Sequence, residues 1–161
     1  MNMQIRTYDS KVAKLHIATQ NSKIIAISFS ALDENYLNKL LKHPAKEIKG
    51  GPAEGLAKQL DSYFSGKNPK FNLQLQLHGT DFQKAVWVAC ASIPYGETRS
   101  YGDLAKMIGK PKAVRAVGTA LSQNPIPLII PCHRVLRSDR QLGGFAGGLV
   151  VKQALLDLEK M

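Results

Sequence analysis

The chain is poor in cysteine, in acidic residues and in long apolar runs. Two cysteines among 161 residues, Cys90 and Cys132, are too few for a disulfide framework. Free thiols suit a reducing compartment, so a cytoplasmic protein is expected. No apolar stretch approaches the roughly 18 residues needed to cross a bilayer, and MNMQIRTYDSKVAK lacks the apolar core of a secretory signal. Neither a membrane partner nor export is therefore expected. Metal ligands are equally sparse. His16, His43 and His78 lack clustered spacing, and one Cys-His pair falls short of the four ligands of a zinc site. No metal is expected.

What is abundant is positive charge. The chain carries 22 basic and 12 acidic residues, for a formal charge of +10. Of six arginines, Arg6 alone lies in the first half; Arg99, Arg115, Arg134, Arg137 and Arg140 lie in the second. Arginine offers a planar fork for phosphate and base edges, whereas lysine is a hydrated point charge. The second half is therefore the side expected to touch a polyanion, although a high pI also fits a generically basic protein.

The pattern of elements divides in two. LHIATQNSKIIAISFSAL reads as two strands around an Asn-Ser turn. GGPAEGLAKQLDSYFSG reads as a helix with Leu56, Leu60 and Phe64 inward, stopped by Gly66. KNPKFNLQLQLHG breaks that pattern, and FNLQLQL alternates like a strand. A boundary is expected between residues 73 and 79, giving an α/β domain over 1–75 and a mainly helical one over 76–161.

In the second half, DFQKAVWVACASI has helical spacing, with Asp81 as expected N-cap and Trp87 and Cys90 near its buried face. Ser100 with Asp103 resembles a capping box opening a short helix that Gly109 closes. Pro111 suits the first turn of a second helix, which continues through KAVRAVGTALSQ to Asn124. Two short helices around a glycine turn, about residues 100–124, form a helix-turn-helix pattern. The second helix sets Ala113, Ala116, Gly118 and Ala120 around a single arginine, Arg115. Such a smooth face allows close approach to a neighbouring helix or to a narrow groove.

NPIPLIIPCHRV follows, and its prolines at 125, 127 and 131 predict extended chain ending at Cys132. Adjacent side chains of extended chain point opposite ways, so direct Cys132–His133 contact is awkward. His133, Arg134 and Arg137 are near enough in sequence to favour a thiolate, the reactive form. His133 could reach the sulfur through a water, its ring oriented by Asp139, Asp157 or Glu159. A plain structural cysteine is the alternative.

IPCHRV closely resembles the active-site motif of the O6-alkylguanine-DNA alkyltransferases. PYGETRSYGDLA, KPKAVRAVGTALSQNPIPLIIPCHRV and GGFAGGLVVKQALLDLE follow that family in order and spacing, across residues 80–160. The first half is similar only in length and coarse pattern. The resemblance implies a ribonuclease-H-like first domain and direct reversal of O6-alkylguanine, less readily O4-alkylthymine, in double-stranded DNA by a monomer without cofactor. It implies that Cys132 takes the alkyl group once and irreversibly. His133 would be base through a water, held by Glu159, and Asn124 would tie the helix-turn-helix to the cysteine segment. Arg115 would fill the place of the flipped nucleotide, and Tyr101 would press on the target phosphate and bond the base. Ala113, Ala116, Gly118 and Lys112 would lie on DNA. The carbonyls of Cys132 and Val135 would accept from the guanine amine, with Phe145, Ala146, Trp87 and Pro127 around the pocket.

Two departures from the family are visible. Phe145 and Ala146 stand where many relatives carry tyrosine and serine, so a donor to O6 would be a backbone N–H, expected at Ala146. Some relatives carry an N-terminal zinc site built on cysteines, and no cysteine precedes Cys90 here. Two rival readings share the helix pair: a non-catalytic protein that binds alkyl lesions, and a DNA-binding regulator.

Overall fold

The computed structural model describes residues 3–67 and 70–160. They form two compact units that divide between Thr80 and Asp81.

The first unit is a five-stranded sheet, ordered β1-β2-β3-β5-β4. Strands β1 (Met3–Asp9), β2 (Lys14–Gln20) and β3 (Lys23–Ser28) form an antiparallel meander. The Asn-Ser turn lies between β2 and β3, and Asn21 and Ser22 have φ of 51° and 64°. Two successive positive φ values match the right-handed twist of paired strands, and asparagine tolerates them well. Helix α1 (Glu34–Leu41), strand β4 (Ala45–Ile48) and helix α2 (Leu56–Phe64) then lead to β5 (Leu75–His78). β5 runs parallel to β3 and antiparallel to β4. Apolar β3 is central, so Ile24, Ile25, Ala26 and Ile27 are all buried.

Two expectations need correction. FNLQLQL supplies a strand only from Leu75. Upstream, Gln59 of α2 brackets Asn72, its amide donating to the Asn72 carbonyl and its oxygen accepting from the Asn72 N–H, while Gln74 N–H bonds the Gly51 carbonyl. These bonds occupy the groups a longer ladder would use. The strand Leu75–His78 also crosses the expected boundary at 75/76. Its pairing to β3 and β4 keeps it in the first unit. Asn68 and Pro69, in the segment that breaks the helical pattern, lie outside the described residues.

The second unit is mainly helical: α3 (Asp81–Ala91), α4 (Tyr101–Met107), α5 (Val114–Ser122) and α6 (Leu149–Glu159). Asp81 is the first residue of α3 rather than the residue before it. Trp87 is 1% exposed, and its indole donates to the Ala120 carbonyl at 2.8 Å, joining α3 to α5. Ser100 and Asp103 form the expected capping box on α4, and Gly109 has φ 74° at its end. Pro111 does not open α5. Ala113 N–H bonds the Lys110 carbonyl at 2.9 Å, closing a turn over Pro111 and Lys112, and the helix begins at Val114.

Two short parallel strands, β6 (Arg99–Ser100) and β7 (Val135–Leu136), pair Arg99 with Val135 and Ser100 with Leu136. That register brings the start of α4, with Tyr101, beside the chain that follows Cys132.

Candidate active site

The segment before Cys132 folds back on itself, contrary to the extended chain expected from its prolines. Ile130 N–H bonds the Ile126 carbonyl at 2.9 Å, and Leu128 has φ 76°. Prolines exclude helix without dictating a straight chain. Asn124 stabilises the reversal: its amide donates to the Ile130 carbonyl, and its oxygen accepts from Ile126 N–H, both at 2.9 Å. Pro131, with φ −80° and ψ 65°, makes a tight turn in which Cys132 N–H bonds the Ile130 carbonyl. Cys132, His133 and Arg134 then form a single 3₁₀ turn.

A turn separates the three side chains. His133 is fully buried, and its Nε2 lies 2.5 Å from Glu159 Oε2. Arg134 grips the same carboxylate, with Nε at 2.7 Å from Oε1 and an NH2 nitrogen at 3.1 Å from Oε2. Its remaining nitrogen donates to the Ile93 carbonyl, and its guanidinium lies over the Tyr95 ring. Gly96 N–H also donates to Glu159. Of the three candidate carboxylates, Glu159 thus meets His133, while Asp157 accepts from Gln153 and Asp139 pairs with Arg137.

The cationic flank read from sequence is therefore misplaced. Arg134 serves Glu159, and Arg137 is exposed. The cation whose charge lowers the pKa of the Cys132 thiol is Lys152, which sequence reading missed and whose ammonium bonds the Val135 carbonyl, three residues beyond the cysteine. Burial pushes the Cys132 thiol up; a hydrogen bond from Asn124 and the charge of Lys152 oppose that rise. Burial pushes the Cys90 thiol well above its ordinary value. The His133 imidazole is held below its ordinary value by burial first, with Arg134 and Lys152 adding to this and Glu159 opposing it. Burial thus favours the neutral form of the His133 imidazole. The one sequence signal for Lys152 is its spacing from Glu159, seven residues on α6 and so on one helical face.

Tyr101 packs beside Gly118 of α5 and tightly against Gly143. Its phenol is pushed up by burial and by the nearby Cys132, and Arg137 opposes this. Gly118 is half-buried on this inner side, while Arg115, Ala116 and Lys112 are exposed and Ala113 half-exposed. The Arg115 guanidinium makes no ion pair among the described residues, so it is available to an outside partner.

The remaining expected pocket residues are spread more widely. Trp87 belongs to the core. Pro127 and Val135 are buried, and Ala146 is exposed. Phe145 meets the His133 ring edge-on, with centroids 6.4 Å apart. The Cys132 carbonyl accepts from Val135 N–H, and the Val135 carbonyl accepts from Lys152 at 2.8 Å. Each carbonyl keeps a second lone pair for an incoming donor. Among the described residues, no group of three or more His, Cys, Asp or Glu could hold a metal ion.

Fold and site together define a helix-turn-helix domain carrying a buried thiol next to a histidine–carboxylate pair, preceded by a small α/β domain. Comparison with known proteins gives the family. Residues 3–77 match the ribonuclease-like domain of 6-O-methylguanine DNA methyltransferase, and residues 81–161 match its DNA binding domain. A methylated-DNA–protein-cysteine methyltransferase of Mycobacterium bovis is 44% identical over 158 residues, 96% of this chain and 91% of that protein. One from Methanosarcina barkeri is 59% identical over 104 residues, 65% of this chain and 66% of that protein. The crystal structure of the Mycobacterium tuberculosis O6-methylguanine methyltransferase superposes with a TM-score of 0.83 at 41% identity, covering 99% of this chain and 93% of that one. The chain belongs to the 6-O-methylguanine DNA methyltransferase family.

Proposed function

We infer that this protein repairs DNA by direct reversal, moving the alkyl group of O6-alkylguanine, and less readily of O4-alkylthymine, onto Cys132. The observation that carries this reading is the position of Cys132. Its thiol is buried in the helix-turn-helix unit, one residue before a neutral His133 paired to Glu159.

The chemistry follows from the site. The buried Cys132 thiol cannot reach the O6 substituent of a base stacked in a duplex, so the nucleotide must leave the stack. Arg115, exposed on α5 among small side chains, fills the vacated space and replaces part of the lost stacking. Cys132 gives its proton to His133 through a water, and the sulfur attacks the alkyl carbon. The C–S bond forms as the C–O6 bond breaks, and the electron pair leaves with guanine. Guanine takes up a proton, with Tyr101 beside it as a donor. The product thioether has no leaving group for reversal, so each molecule acts once. Support for a DNA partner comes also from the M. tuberculosis relative, 40% identical here, whose structure is known in complex with DNA.

The test is incubation with a duplex bearing labelled O6-methylguanine. Label on the protein, at no more than one equivalent, is the expected result. Tight lesion binding without transfer would instead identify a lesion-binding protein, and indifference to the lesion a DNA-binding regulator.

A further inference from the structure

Lys152 is an unusual lysine. It is fully buried near the start of α6. Its ammonium donates to the Val135 carbonyl at 2.8 Å and, at 3.4 Å, to the Gly143 carbonyl. Among the described residues no carboxylate lies within ion-pair distance of it. Glu159, the one buried carboxylate of the unit among the described residues, is taken by Arg134 and His133. A buried ammonium without a counter-charge is costly, and such lysines persist where the charge has a use.

The groups around Cys132 narrow that use. Cys90 approaches from α3, Tyr101 from α4, Asn124 from the end of α5 and Lys152 from α6. His133 and Arg134, on the same turn as the thiol, are turned toward Glu159. Of these, Lys152 is the one cation that lowers the pKa of the Cys132 thiol, and its ammonium bonds the carbonyl of Val135, whose own N–H closes the turn onto the Cys132 carbonyl.

We propose that Lys152 is a positioning residue for the transfer: its ammonium, fixed against the backbone that follows Cys132, is the positive charge beside which the thiolate forms. This rests on Cys132 being the nucleophile of the proposed reaction. Lys152 touches neither alkyl group nor base. Its bonds to Val135 and Gly143 also join the chain that follows Cys132 to the segment that packs on Tyr101, so charge and frame depend on one side chain. The local desolvation that opposes ionisation of Cys132 also strengthens its attraction to Lys152. The proton lost from sulfur goes to His133; burial lowers the pKa of the Lys152 ammonium from its ordinary value, and negative charge on Cys132 opposes that fall, so each charge favours the other.

The experiment reads the thiol without any alkylguanine, so its failure is separable from failure of the proposed repair reaction. In a Cys90→Ala background, Cys132 is the only thiol, and its rate of alkylation by iodoacetamide is followed against pH. Lys152→Met keeps the stem and loses the charge. Lys152→Gln loses the charge but can still donate to a carbonyl. Both should raise the pH midpoint by about one unit, which is about tenfold less thiolate at neutral pH. A glutamine protein that reacts like its parent overturns the proposal, because it assigns Lys152 to the frame alone. Should neither variant fold, the Lys152 side-chain resonances of the Cys90→Ala protein are titrated by NMR. They should move at the Cys132 midpoint and cease to do so once the thiol is capped with methyl methanethiosulfonate. Resonances that ignore that midpoint also overturn the proposal.

Discussion

Tyr101 lies against Gly143 so closely that a side chain at position 143 would collide with its ring and hydroxyl. The Gly143→Ala protein must move Tyr101 or the loop. It should transfer alkyl groups at least about tenfold more slowly, since small displacements at a reacting centre cost up to about 100-fold. Single-turnover kinetics check this, and an unchanged rate would separate Tyr101 from the reaction.

Gly118 differs, although it also faces Tyr101. A methyl group there would meet the ring at 3.8 Å, an ordinary contact. Glycine inside a helix costs about 0.5–1 kcal/mol relative to alanine. Gly118→Ala should therefore stabilise the protein by about that amount, measured by calorimetry. Destabilisation would show that α5 and Tyr101 pack more tightly than described.

Glu159 holds two partners, so its loss should act on stability and on chemistry. Glu159→Gln leaves Arg134 buried without its carboxylate, a change that costs about 3–5 kcal/mol when a buried pair is broken. Denaturant unfolding measures it. Transfer should also slow, with duplex affinity nearly unchanged, because Glu159 is buried away from the exposed face of α5. Lost affinity with an intact rate would contradict the orienting role.

The depressed pKa of His133 sets a pH window. The folded protein holds this imidazole neutral, whereas the unfolded chain protonates it near the ordinary value of about 6.5. Its contribution to stability is thus complete above about pH 6.5 and is lost as pH falls toward the lower folded value. The melting temperature should drop on acidification below about 6.5, and the His133→Gln protein should show less of that drop. Equal slopes would mean that His133 does not titrate there.

The parts legible in the sequence were those with local causes. The β2–β3 turn, the Ser100–Asp103 cap and the helix-turn-helix each depend on residues within a few positions. Strands β1 and β4 were not legible, because their side chains are mostly exposed and polar and alternate weakly. The reversal before Cys132 was not legible either, since it depends on Asn124 bonding a carbonyl six residues further along the chain. The site divides in the same way. Proximity in sequence suggested that Arg134 serves the thiol. Pairing across the fold gives Arg134 to Glu159 and brings Lys152, twenty residues downstream, to the backbone that follows Cys132.

Arg115 connects the helix to the chemistry. A phosphate-binding arginine would lower affinity for every sequence and reduce the salt dependence by about one unit. An inserted arginine stabilises only the extruded state, on the scale of a stacked base, about 1–3 kcal/mol. Arg115→Ala should therefore slow reaction with O6-methylguanine in duplex DNA and leave reaction with the free O6-alkylguanine base nearly normal. Lys112→Ala should change mainly affinity and its salt dependence. Equal slowing of the Arg115 variant on both substrates would place Arg115 in the pocket or the fold.

One particular thiol, that of Cys132, is expected to accept the alkyl group. Intact-mass measurement followed by peptide mapping, after reaction with duplex O6-methylguanine, tests it directly. The expected result is a gain of one methyl group, carried entirely by the peptide containing Cys132, with Cys90 unmodified and no transfer to a Cys132→Ala protein. A methyl group on Cys90, or repeated turnover by one protein molecule, would contradict it.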